Sequence, residues 1–111
     1  MTVLNKALLP SKQMEATQTT QYTAPTTAKA IIDTFTATNT SVAVASISVN
    51  IVTSTGTAGV TNLIVDAHEI AINDTYNFPE LVGHVLEAGD FISTLGTASA
   101  LTSRCSGREI S

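Results

Sequence analysis

The sequence predicts an all-β fold: an antiparallel β-sandwich, jelly-roll-like, with an irregular N-terminal arm over residues 1–20 and the sandwich over residues 21–111. Apolar and polar residues alternate along the central part of the chain, which is the period of a half-buried strand. Turn-forming residues separate roughly seven or eight such stretches, as in sandwiches and jelly rolls. At 111 residues the chain is long enough for one domain with one modest core.

The clearest strand pattern runs from Ala28 to Val52. In its second half one face carries only apolar residues, namely Ala43, Ala45, Ile47, Val49 and Ile51. In its first half one face carries Ile31, Phe35 and Ala37, and the opposite face carries Ile32, Thr34, Thr36 and Thr38. The polar turn Asn39-Thr40-Ser41 between the halves predicts a hairpin, which must bury its apolar face against a second sheet to be stable in water.

The predicted arm covers Met1 to Thr20. Its apolar residues Leu4, Ala7, Leu8 and Leu9 precede Pro10 and predict a short helical turn or an arm that packs on the body or reaches a partner. Part of Gln13–Tyr22 is predicted to be extended. On this interpretation, deleting Met1–Pro10 leaves a folded β domain and weakens attachment to the partner.

The rest of the chain predicts further strands over Asn62–Ile72, Thr75–Phe78, Phe91–Leu95 and Leu101–Ile110. A change of apolar face near His68-Glu69 indicates a bulge or bend in the first of these. Pro79–Gly89 has apolar residues at helical spacing, but Gly83 in its middle favours a loop or one short turn. Thr53–Thr61, which contains Gly56 and Gly59, is predicted to be a loop.

Composition excludes several functions. Charged residues make up 13% of the chain and the net charge is −4, with five scattered basic residues. Nucleic-acid binding requires a basic stripe, and the sequence has none. A surface rich in Thr, Ser and Asn either lowers the cost of desolvation at an interface or is simply the polar surface of a monomer.

Cellular context follows from Cys105 and from hydropathy. A single cysteine allows no intramolecular disulfide, and its place in the last strand predicts a small buried residue. The N-terminus lacks the apolar run of a signal peptide, and no stretch reaches the ~18 apolar residues of a membrane span. We therefore expect synthesis and folding in a cytosol and no membrane partner.

No pattern of catalytic residues supports an enzyme. His68 with Asp66 and Glu69, or His84 with Glu80 and Glu87, are conceivable metal ligands, but there is no tight multi-His pattern, and carboxylates near a histidine are ordinary surface neighbours. Paired carboxylates for glycoside hydrolysis have no marked spacing among Asp66, Asp74, Glu80, Glu87 and Asp90. Nucleophile-elbow, phosphate-loop and dinucleotide motifs do not occur. We expect no catalytic residues, no metal and no cofactor.

Surfaces are therefore the candidate sites. Apolar residues of the Pro79–Gly89 region either plug the end of the sandwich or form a patch for a partner, and Arg104 and Arg108 are in phase on the last strand. An open edge strand would also give a route to a dimer. The candidate interface residues are Leu4, Leu8, Leu9, Phe78, Leu81, Val82, Val85, Arg104 and Arg108.

A family resemblance adds to this interpretation. The run QYTAPTTAKAIIDTFTATNTSVAVASISVNIV, then VGHVLEAGDFIST and the ending LTSRCSGREIS, resemble capsid decoration (cement or staple) proteins of epsilon-fifteen-like short-tailed bacteriophages. The resemblance implies a jelly roll made in the host cytoplasm and placed on the outer capsid surface of the virion. There it would pair as a homodimer, bind the major capsid protein and brace the shell. It implies no site residues.

Two other functions are compatible with the sequence. The first is a carbohydrate-binding jelly roll for host adhesion, in which Tyr22 or Tyr76 would contact the glycan; the scarcity of aromatic residues weighs against it. The second is a neck or tail component of the virion. Copy number separates this component from a decoration protein, because a shell carries hundreds of sites and a ring only a few.

Overall fold

A computed structural model describes residues 1–111 and contains two antiparallel β-sheets packed face to face. The strands are β1 (Val3–Gln13), β2 (Thr19–Thr23), β3 (Lys29–Asn39), β4 (Ala45–Val52), β5 (Leu63–Ile70), β6 (Thr75–Asn77), β7 (Val85–Leu86), β8 (Phe91–Gly96) and β9 (Leu101–Ile110). The only helical segment is a single 3-10 turn at Val60–Asn62. The prediction of an all-β sandwich is confirmed.

The strand order is that of a jelly roll. Sheet I has the order β1-β9-β3-β6, with the short β7 also paired to β3, and sheet II has the order β2-β8-β4-β5. Successive strands from β1 to β4 alternate between the sheets, so the chain crosses the sandwich at each connection. Apart from the short β7, the two sheets have four strands each, connected as in the double Greek key of jelly rolls.

The predicted hairpin between β3 and β4 is wrong, although both strands occur close to where the sequence places them. β3 lies in sheet I beside β9, and β4 lies in sheet II between β8 and β5. The buried Asn39 side chain fixes the crossing, because its amide donates to the carbonyls of Ala43 (2.8 Å) and Ile70 (2.9 Å). The two apolar faces meet across the core instead of lying side by side in one sheet.

A β-bulge in β3 reverses the predicted orientation of its first residues. The register against β9 shifts between Ile32 and Thr34. As a result Ile32 is buried and Ile31 is partly exposed, the opposite of the prediction. Beyond the bulge Phe35 and Ala37 face the core as predicted. An extra residue in one strand changes the face of every residue that follows, so simple alternation fails across it.

The irregular N-terminal arm is also absent, because Val3–Gln13 forms β1 and pairs along β9. Leu8 and Leu9 are 4% and 2% exposed and belong to the core. Pro10 is compatible with this strand because β1 is the edge of sheet I, where an outward-facing position needs no N–H. Two neighbouring leucines in the core make the segment part of the sandwich.

The predicted change of face in the strand after Asn62 is confirmed, but it lies nearer to Ala67. Ala67 has φ of 45°, and its N–H donates to the hydroxyl of Ser48 at 2.8 Å. The register of β4 against β5 shifts between the pairs Ile47–His68 and Val49–Val65. The bulge lets both Val65 and Ile70 face the core while β5 stays in sheet II.

The region from Pro79 to Gly89 forms turns and the two-residue β7, with no helix. Gly83 has φ of 87°, a left-handed conformation that favours glycine, and its N–H donates to the carbonyl of Ile32 at 2.7 Å. Leu81 and Leu86 are fully buried, whereas Val82 and Val85 are 52% and 48% exposed. The region therefore closes one side of the core and also presents apolar groups outward.

Ser103 on β9 gives a first stability prediction. Its hydroxyl is fully buried and has no hydrogen-bond partner. Ser103→Ala removes this uncompensated polar group, so we expect the free energy of unfolding to rise by about 0.5–2 kcal/mol. Urea denaturation of the variant and of the wild type measures this difference in the free energy of unfolding.

Ser48→Ala is the matched control, because the Ser48 hydroxyl accepts from the Ala67 N–H. This variant should lose about 1 kcal/mol. An equal loss in both variants would contradict the assignment of Ser103 as an orphaned hydroxyl.

Candidate interaction surfaces

Part of the outer face of sheet I is covered mostly by short polar side chains. We name it the hydroxyl face, and it consists of Thr34, Thr36, Thr38, Thr75, Asn77, Thr102, Arg104 and Ser106. Strand alternation produces it, because the residues between them on β3 and β9, such as Phe35 and Cys105, fill the core.

Strand register aligns these residues in rows. Thr36 lies between Arg104 on β9 and Asn77 on β6, and Thr38 lies between Thr102 and Thr75. The hydroxyls of Thr38 and Thr75 are hydrogen-bonded at 2.9 Å. The paired strands hold the rows in place, so a partner meets a surface that is already ordered.

One unpaired charge lies on this face. Arg104 is exposed, and among the Lys and Arg side chains it alone forms no ion pair. Arg108, further along β9, binds Asp33 through Nε and Nη2 at 2.9–3.2 Å. This hydrogen bonding raises the pKa of Arg108, so the pair stays charged and mutually neutralised. Arg104 is therefore the cation available to a partner's carboxylate.

An apolar notch of about 250 Å³ opens at the edge of the hydroxyl face. Its lining is Thr34, Phe35, Asn77, Phe78, Pro79 and Val82. The notch exists because the outer edge of β3 is covered by β6 at Thr36–Thr38 and by β7 at Ala30–Ile31, with a gap between them. Its volume suits one large apolar side chain.

The structure brings together some of the predicted interface residues and separates others. Val82, Val85, Arg104 and Arg108 lie on or beside the outer side of sheet I. Phe78 and Leu81 are buried, as are Leu8 and Leu9, and of these four only Phe78 contributes to an open site, as part of the lining of the notch. Leu4, on the N-terminal half of β1, is 52% exposed. The sequence-based candidate set missed the threonines, although their alternation in β3 was the available signal.

Aromatic side chains close the sandwich between β6 and β5. Tyr76 stacks on His68 with ring centroids 4.0 Å apart, and Tyr76 and Phe78 meet edge to face at 4.7 Å. Phe78 in turn packs edge to face on Phe35 at 5.4 Å. His68, a conceivable metal ligand in the sequence, thus packs against an aromatic ring. No group of three His, Cys, Asp or Glu residues is placed to hold a metal ion.

A buried polar cluster lies between β1, β2 and β9. The Glu109 carboxylate accepts a hydrogen bond from the Tyr22 hydroxyl at 2.5 Å and lies 3.5 Å from the Lys6 ammonium. Burial, and then the hydrogen bond to Glu109, raise the pKa of Tyr22 above its usual value of 10.0. Burial likewise raises the pKa of Cys105 to about 12, with a smaller contribution from Asp33. Cys105 is therefore an inert thiol at neutral pH.

These shifts predict a loss of stability in alkali. Above about pH 9–10 the unfolded chain releases the Tyr22 and Cys105 protons that the folded chain retains, so the free energy of unfolding falls as pH rises. Tyr22→Phe should flatten this fall and cost about 1–2 kcal/mol at pH 7, because a hydrogen bond to a carboxylate is lost. Urea unfolding from pH 7 to pH 11 measures both effects. Stability of the wild-type protein that is unchanged across that range would contradict the prediction.

The comparisons with known proteins define the fold. No protein-family model matches the chain, and no curated protein matches it. Among solved structures, a chain from the disulfide-linked pili of Bacillus endospore appendages is similar, with a TM-score of 0.58 and 16% identity over 99% of this chain and 88% of that one.

A chain of infectious bursal disease virus, Gx strain, is also similar, with a TM-score of 0.54 and 14% identity. The likeness covers 98% of this chain and 33% of the viral one. At these identities the comparisons show the shared β-sandwich fold. The chain has no helix of the length and hydropathy needed to cross a membrane.

Proposed function

We propose that this protein is a non-enzymatic structural component of a virion, which binds the outside of a phage capsid and staples neighbouring major capsid subunits. The hydroxyl face, with the apolar notch at its edge, is the surface that contacts the shell. The observation that carries the proposal is the low charge and short polar side chains of this face, where Arg104 is the only unpaired ion.

Physical chemistry makes this surface suitable for attachment to a repeating lattice. Removing hydroxyls and amides from water costs far less than removing ions, so a broad contact forms at low desolvation cost. The notch supplies an apolar pocket for one apolar anchor, and Arg104 supplies a charge for orientation. Many modest contacts on one shell then give firm attachment.

The known neighbours support a structural role without defining it. One comes from a pilus and the other from a virus, and both have the same β-sandwich fold as this chain. The resemblance of the sequence to phage decoration proteins points in the same direction. The carbohydrate alternative has no comparable support, because Tyr22 is buried and Tyr76 is stacked on His68.

Co-sedimentation of the purified protein with DNA-filled and emptied phage shells tests the proposal. We expect saturation at hundreds of copies per shell, and shells that survive heating better. Val82→Asp should weaken binding by about tenfold or more, because a carboxylate at the notch is desolvated without a partner.

Leu95→Asp is the matched control, since Leu95 is 39% exposed on β8 of the other sheet and should bind as the wild type does. Saturation at a few copies would indicate a neck or tail component. No binding to either kind of shell would refute the proposal.

A further inference from the structure

We infer that two copies of this chain pair through the N-terminal half of β1, in antiparallel register centred on Leu4, and so join their first sheets into one continuous sheet. This inference depends on the geometry of the strand edge alone. The free protein is therefore expected to dimerise whether or not it binds a shell.

β1 is the longest open edge in the molecule. It has 11 residues, whereas the opposite edge of sheet I is divided between β6, with three residues, and β7, with two. In sheet II the edge strand β2 has five residues and a register shift, and β5 is interrupted by the bulge at Ala67. Only β1 offers a long row of unpaired backbone groups.

Most of the features that protect edge strands from pairing lie in one half of β1. Pro10, Lys12 and both register shifts against β9 lie beyond Ala7. Proline, lysine and bulges are the usual means by which natural edges avoid association. From Thr2 to Ala7 the strand is regular, and its one charge, Lys6, is paired with Glu109. The unprotected half is therefore able to accept another strand.

Hydrogen bonding to β9 determines which backbone groups are free. Thr2 and Ser111 exchange hydrogen bonds in both directions at 2.9–3.0 Å. Because antiparallel pairing alternates along a strand, Leu4 and Lys6 also direct their N–H and C=O groups to β9, and Val3 and Asn5 direct theirs outward. An antiparallel copy that pairs Val3 with Asn5 of the second copy, and the reverse, forms about four main-chain hydrogen bonds.

This register is self-complementary. It places Leu4 directly opposite Leu4 of the second copy, so two side chains that are 52% exposed in the monomer cover each other. It also places Lys6 opposite Thr2 of the second copy, which keeps the two lysines apart. Moving the centre to Asn5 brings Lys6 diagonally beside its equivalent, where like charges repel.

The geometry of the dimer suits the stapling of two capsid subunits, an inference that rests on the proposed function. A two-fold axis at an antiparallel strand pair is perpendicular to the sheet, so both hydroxyl faces lie on the same side of the dimer. One dimer would then contact two neighbouring capsid subunits with equivalent surfaces.

The test uses free protein, so its result is independent of shell binding. Light scattering should give twice the 11.5 kDa mass of one chain. Asn5→Pro should give a folded monomer by circular dichroism, because it removes an outward N–H that the monomer does not use. A wild-type protein that is monomeric at its highest soluble concentration, or an Asn5→Pro variant that remains dimeric, would overturn the inference.

Engineered cysteines test the register. Leu4→Cys places two sulfurs across a close pair, with Cα atoms about 4.5 Å apart, within the range of disulfides. Under mild oxidation it should form covalent dimers about tenfold or more faster than Lys12→Cys, the control on the protected half of the same strand. The native Cys105 is buried and does not compete. Equal rates in the two variants would overturn the proposed register.

Discussion

Replacing Gly107 with alanine should destabilise the domain by at least about 3 kcal/mol. A Cβ at this position on β9 would lie 2.1 Å from the carbonyl oxygen of Ile31 and 2.8 Å from Cδ1 of Leu8. The first contact is with the backbone of β3, which cannot move without breaking its pairing with β9. Thermal and urea unfolding, followed by circular dichroism, measure the loss.

Gly59→Ala is the control for this prediction. An added Cβ at Gly59 meets nothing within 4 Å, and its φ of −168° is extended backbone that any residue adopts. We expect a change in unfolding free energy within about 0.5 kcal/mol. A Gly107→Ala variant as stable as the Gly59→Ala variant would show that β3 and β9 separate easily, contrary to the structure.

Deleting Met1–Pro10 should prevent folding, although the sequence alone predicts a dispensable arm. The deletion removes most of β1 and two core residues, Leu8 and Leu9. Truncating one buried leucine to alanine costs about 2–5 kcal/mol, and a whole domain is stable by only about 5–15 kcal/mol. The truncated chain is expected to lack a cooperative unfolding transition and to aggregate.

A variant with both Val3→Thr and Leu4→Thr is the control for this deletion, because it changes the exposed half of β1 and keeps the core residues Leu8 and Leu9. These side chains are 50% and 52% exposed, so their replacement should leave the free energy of unfolding of the monomer within about 1 kcal/mol of the wild type. A truncated protein with a cooperative transition near that of the full chain would restore the interpretation of residues 1–10 as an arm.

Most of the fold class was predictable from the sequence because period-two alternation reports on which face of a strand is buried. Ala45, Ile47 and Val49 in β4 are buried as their spacing predicts, and Cys105 is a core residue. The same alternation fails at its ends, because Ala43 is exposed and Val52 is buried in place of Ile51. For the candidate surface, the alternation of Thr34, Thr36 and Thr38 was visible, and so was the phase shared by Arg104 and Arg108. These are local properties of a strand, which neighbouring residues determine.

Pairing between strands was not predictable in the same way. β3 and β4 are joined by a short polar connection that is compatible with a hairpin, yet Asn39 directs the chain across the sandwich to the other sheet. Because of the bulge at Ile32 to Thr34, Ile32 and not Ile31 is buried, and no residue in that run predicts a bulge. Both features depend on partners distant in the sequence.

By itself the sequence determined that this is an all-β sandwich with a low-charge, threonine-rich surface, because residue alternation and composition carry that information. Only the tertiary structure decided that the first ten residues supply most of a strand and two core leucines, and that Val82, Val85, Arg104 and Arg108 lie toward one side. The reason is physical: β1 becomes a strand only when β9, almost a hundred residues later, supplies its hydrogen bonds. Pairing between distant strands decides which residues share the candidate surface, and local sequence patterns do not encode that pairing.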